Sequence, residues 1–168
     1  MKTNLLITLV LFFFFGCAKQ PAQMSPQEQE TAKKEIRQIF DLQIAACEKP
    51  DLDALFQAMW NSPDFIAIMA DGKTFDYQGA KNSTADFFKA FPSAKFTTVK
   101  DEFRFLSNDL VLYAWNGTCD MTLTTGAHSK IDSYAVTYVF RKIDNQWKII
   151  FSHESASPAV EERAKAKK

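Results

Sequence analysis

The sequence predicts an α+β domain: three helices packed on a strongly curved, mostly antiparallel sheet. Three stretches in the first half repeat apolar residues at three- and four-residue steps, and each is closed by a proline. The second half holds four long runs rich in β-branched and aromatic residues, separated by short turn clusters. Those runs are long for strands, and long strands pack well only when the sheet bends.

The first helix opens at Ser25-Pro26-Gln27-Glu28. Ser25 suits the N-cap, Pro26 the first helical position, and Glu28 completes a capping box. Ile36, Ile39, Phe40, Ile44 and Cys47 form its apolar stripe, and Pro50 stops it near Glu48. A shorter helix is predicted over 51–60, with Leu52, Leu55, Phe56 and Met59 on one side. Asn61-Ser62-Pro63 breaks the chain. Residues 65–69 and 73–77 read as a hairpin around Asp71-Gly72. Gly79 reads as a break, and 80–91 as a third helix with Phe87, Phe88 and Phe91 on its buried side. The strands follow at 96–106, 110–122, 130–141 and 147–153, with turns at 107–109, 125–127 and Asp144-Asn145.

The chain of 168 residues has a one-domain length. A formal charge of +0 gives no basic field for nucleic acid, so no nucleic-acid partner is expected. Aromatics make up 14% of the chain, which suits a packed core or an apolar cavity. No internal repeat and no Gly-rich phosphate loop is present.

The N-terminus reads MKTNLLITLVLFFFFGCAKQ. Lys2 gives a positive start, and residues 5–15 form an apolar run of signal-peptide length, too short to span a bilayer core of roughly 30 Å. An apolar run ending in Gly16-Cys17 resembles a bacterial lipobox, with Phe14 in place of the commoner Leu. That resemblance implies cleavage before Cys17 and acylation of its thiol. Ala18 after it implies sorting to the outer membrane, facing the periplasm, in a Gram-negative host. The expected layout is a signal at 1–16, a tether at 17–25, a domain at 26–157 and a charged, frayed tail at 158–168.

Helix, helix, hairpin, helix and four antiparallel strands is an order that resembles the nuclear transport factor 2-like superfamily, of cone-shaped cystatin-like topology. The stretch from Tyr138 to Ile149, a charged turn leading into Trp147-Lys148-Ile149, resembles the hairpin of its SnoaL-like branch. His153-Glu154-Ser155 resembles that branch's closing His-x-Ser. Asn145 departs from the usual turn Gly, and Phe151 stands where many members carry a His. The resemblance implies a cone with an open end, a homodimer formed through the exposed sheet face, and enzymes that use a pocket Asp or Glu as general base.

Strict alternation puts Trp147, Ile149, Phe151, His153 and Ser155 on one face of the last strand. If that face is concave, His153 is a candidate acid or base, with Asp120 or Asp132 as its carboxylate partner. His128 reads as a solvated turn residue. Trp60, Tyr77, Trp115 and Tyr134 are candidate pocket walls, with His153 and Ser155 beside them. Cys47 and Cys119 match no metal motif and read as two free thiols or as a disulfide that an extracytoplasmic setting permits; neither a metal nor a cofactor is expected. The first expectation for function is a lipid-anchored domain that binds a small apolar or amphipathic ligand without catalysis. The alternatives are an isomerase, cyclase or dehydratase with a His and carboxylate pair, and a dimeric interaction module.

Overall fold

The computed structural model describes residues 23–162. The expected signal, Cys17, most of the tether and the last six residues of the tail lie outside the described residues.

Helix α1 (Pro26–Glu48) starts as its sequence dictates: the Ser25 side chain accepts from the Glu28 N–H, and the Glu28 carboxylate accepts from the Ser25 N–H at 2.8 Å. Its buried stripe is Ala32, Ile36, Phe40, Gln43 and Ala46. Helix α2 (Leu52–Phe56) is shorter than predicted, with Asp51 capping it at the Ala54 N–H. Strands β1 (Ile66–Ile68) and β2 (Thr74–Phe75) form the hairpin. Helix α3 (Tyr77–Ala90) begins three residues earlier than predicted, because Asp76 caps it by accepting from the Gly79 N–H at 2.7 Å. Gly79 is therefore part of the first helical turn and not a break. The α3 stripe is also less covered than predicted: Ala80 is buried, Phe88 and Phe91 are half-buried, and Phe87 is exposed.

The sheet continues with β3 (Ser93–Phe105), β4 (Leu110–Thr122), β5 (His128–Ile143), β6 (Gln146–Ala156) and β7 (Val160–Glu162). Its order is β2-β1-β6-β5-β4-β3, with β1 parallel to β6 and the other pairs antiparallel. Strand β7 pairs with the start of β5, so the chain stays paired beyond 158, where the tail was expected to fray. Asp144 and Asn145 both have positive φ (49° and 61°), the tight hairpin turn that Asn supports as Gly does.

Three register shifts bend the sheet. Val99 is extra in β3, Asp132 and Ser133 together oppose Thr118 in β5, and Ile150 is extra in β6. Each shift kinks its strand and raises the local twist. Helix α1 lies over the inner face, where Ile36 and Phe40 meet Val111, Tyr113, Phe140 and Ile149 in one core. Each such side chain contributes about 1.5–3 kcal/mol on burial. Trp147 locks helix to sheet, its indole N–H donating to Glu35 Oε2 at 2.9 Å.

Candidate functional site

Beyond Ile149 the bulge at Ile150 changes which side chains face inward. Trp147 and Ile149 are buried on the inner face, yet Ser152 and Glu154 follow them inward. His153 and Ser155 are exposed and point away from the inner face. The alternation expected for β6 fails at this one residue, and with it the placement of His153 and Ser155 at a pocket.

The inner face and the three helices enclose a cavity of about 350 Å³. Its walls are mostly rings and aliphatic groups. Phe96, Trp115 and Tyr134 stand in mutual contact, with ring centroids 6.0–6.3 Å apart. Phe40 and Tyr138, 6.2 Å from each other, adjoin them. Exposed Asp71 in the β1–β2 turn and exposed Phe87 on α3 also line the cavity, so its mouth lies between that turn and α3.

Glu154 is the carboxylate in the wall. Burial pushes its carboxyl above the ordinary range, a hydrogen bond from the Tyr134 hydroxyl works against that, and the Asp71 charge adds to it. Glu154 is half-buried, and it lines the cavity. Burial likewise raises the Tyr134 and Tyr138 hydroxyls and pushes both wall thiols, Cys47 and Cys119, up to about 12. Both cysteines are free and stay protonated near neutral pH.

Two details hold the wall in place. The Trp115 indole N–H donates to Thr98 Oγ1 at 2.9 Å. Gly117, two residues on along the same face, leaves room for that ring: a Cβ there would sit 2.6 Å from Trp115 Cζ2 and 2.2 Å from the Thr97 carbonyl oxygen. Gln43 is buried beside the cavity; its amide donates to the Leu55 carbonyl at 3.3 Å, while its Oε1 has no partner.

The structure brings Trp115 and Tyr134 to this cavity and leaves the other candidates elsewhere. Trp60 and Tyr77 border a separate open cleft between α2 and α3, with Asp53 and Lys81 paired across it at 2.8 Å. Tyr77 packs edge-on against Phe56 and Phe65. Asp120 is exposed, 3.3 Å from His128 Nδ1, and His128 begins β5 instead of sitting in a turn. Asp132 is exposed and pairs with Lys130 at 2.8 Å. No cluster of three metal-binding side chains occurs among the described residues.

The SnoaL-like domain family matches residues 36–160. The chain belongs to that family. This SnoaL-like domain also shares its fold with solved structures of the NTF2-like superfamily. A hexachlorocyclohexane dehydrochlorinase superposes with a TM-score of 0.73 at 15% identity, covering 83% of this chain and 95% of that one. A candidate scytalone dehydratase from Novosphingobium aromaticivorans gives 0.73 at 10% identity, covering 84% and 95%. An NTF2-like protein of unknown function from Shewanella oneidensis gives 0.58 at 23% identity, covering 74% and 98%. At these identities the likeness is one of fold. No curated protein matches the sequence.

Proposed function

We propose that this SnoaL-like domain holds a small, largely apolar organic molecule in the cone cavity, with Glu154 as its polar anchor. One observation carries the reading: an enclosed, ring-lined space of about 350 Å³ holds a carboxyl group desolvated by its walls. Pockets of this kind, apolar with few convergent polar groups, are the usual form of small-molecule sites. Burying a carboxyl costs folding stability, and a site that uses the group offsets the cost in function.

Calorimetric titration with a panel of single- and fused-ring compounds tests it. Saturable binding is expected in the parent protein, with loss in Ser83→Trp, which puts an indole into the cavity from α3. Binding that survives the plug would move the ligand elsewhere.

A second reading has support from the Tyr134–Glu154 pair. A carboxyl lifted by burial and contacted by a phenol can exchange a proton with a bound ligand. The dehydrochlorinase and the candidate dehydratase make elimination the first reaction class to assay. Glu154→Gln is expected to lower turnover by about a hundredfold or more, the usual loss when an acid–base group is removed. Unchanged turnover would leave binding alone.

A further inference from the structure

Resting on the reading of the cavity as a binding site, we infer that its ligand is an organic cation, an ammonium group carried on an apolar body. The charges lining the cavity are of one sign. Glu154 stands in the wall and Asp71 at the mouth, and no Lys, Arg or His is among the described residues that line it. Lys73 pairs with Asp71 at 2.7 Å on the outer surface, both side chains well exposed, so that charge is largely answered outside. No ion pair reaches Glu154 among the described residues.

Each class of ligand meets this arrangement differently. An anion brings a second negative charge beside Glu154 in a medium that screens poorly. A neutral apolar ligand expels water and leaves the carboxyl less solvated than before. A cation answers the carboxylate, and the ring faces around it attract positive charge as well. Phe96, Trp115 and Tyr134 form one such wall, and the Tyr134 hydroxyl already bonds Glu154. One donated bond leaves the carboxylate with free acceptor sites for an ammonium N–H or for close charge contact.

Binding is therefore linked to the ionisation of Glu154. The titratable groups that act on or feel Glu154 are Tyr134 and Tyr138 from β5, Cys47 from α1, Cys119 from β4 and Asp71 from the β1–β2 turn. Burial raises the phenols and thiols so far that they stay neutral near neutral pH. Glu154 is then the group whose ionisation the pairing depends on, so affinity rises with pH as the carboxyl ionises.

The test is calorimetry on the full chain in detergent with three probes of similar size: benzyltrimethylammonium, its uncharged isostere neopentylbenzene, and phenylacetate. The expected result is that the cation binds about tenfold or more tightly than the isostere near pH 8, and that phenylacetate does not bind. Cation affinity should fall as pH is lowered through the raised carboxyl value, with buffer-dependent heat reporting the proton exchanged there. Glu154→Gln should remove the preference while leaving neopentylbenzene within about twofold. The charge series and the pH dependence need no variant, so they stand if that substitution disturbs folding. Equal or tighter binding of neopentylbenzene or phenylacetate overturns the cation assignment and leaves the cavity as a binding site. Failure of all three probes to bind overturns the binding reading with it.

Discussion

Glu154 and Gly117 show how single residues set the cavity. Burial raises the Glu154 carboxyl in the folded chain, so the native state binds its proton more tightly than the unfolded state does. Stability from this group is therefore full below the ordinary carboxylate range and declines as pH rises through the raised value. Glu154→Gln keeps the shape and cannot ionise. In thermal unfolding it should match the parent protein at low pH and exceed it as pH rises through the raised carboxyl value, by roughly the order of 1 kcal/mol. Parity on both sides of that value would mean that the carboxyl is well solvated. Gly117→Ala works by contact alone. Its Cβ would meet the Thr97 carbonyl oxygen at 2.2 Å and the Trp115 ring at 2.6 Å. The carbonyl is backbone and cannot swing aside, so a loss of about 1–3 kcal/mol in denaturant unfolding is expected, with a shift in Trp fluorescence as the indole moves.

At the scale of elements, caps were legible in the sequence and bulges were not. Ser25-Pro26-Gln27-Glu28 announces α1, because each of its residue types satisfies a known backbone need within four residues. Asp76 was equally local, but Gly79 masked it: the glycine reads as a stop, although its N–H is what the Asp76 carboxylate holds. The strands were legible as strands, since β-branched and aromatic runs bounded by turns have little other use. Their faces were legible only as far as the first register shift. Alternation assigns Trp147 and Ile149 to the core correctly, then Ile150 inserts and every later side chain of β6 changes sides. Alternation points to His153 and away from Glu154 because nothing in the stretch Ile149-Ile150-Phe151 marks the extra residue. Tyr134 falls at the cavity because the β5 shift at Asp132 and Ser133 precedes it and sets the phase of the rest of that strand, whereas β4 alternates without interruption and brings Trp115 inward. Helix α3, the wall beside the mouth, can be tested through its cap. Asp76→Ala removes the N-cap and should cost about 1 kcal/mol. Because Ser83, Thr84, Phe87 and Phe88 of that helix line the cavity, hydrogen exchange should rise along Tyr77–Ala90 and ring-compound affinity should fall with it. Faster exchange with unchanged affinity would show that α3 is not part of the working wall.

For the whole molecule, the remaining question is where the cone works. We propose that Cys17 carries the acyl chains of a bacterial lipoprotein and holds the domain at the cell envelope, at the outer membrane facing the periplasm in a Gram-negative host. Support comes from residues 1–16, with Lys2 ahead of an apolar run that stops at Gly16-Cys17. Within the described residues no helix is long and apolar enough to cross a membrane. A lipid would bind such a domain to a membrane by a different physical route, each buried CH₂ contributing about 0.8 kcal/mol, so that two or more chains hold firmly where one does not. Growth of a Gram-negative expression host with labelled palmitate should label the protein, and the label should sediment with the outer membrane. Cys17→Ser should abolish labelling, while the domain that begins at Pro26 keeps its fold and its ring-compound affinity, because Cys17 precedes every described element. Label that persists in Cys17→Ser would move the acylation elsewhere. Absence of label in the parent protein would leave an ordinary secretory signal and a cone free of the membrane.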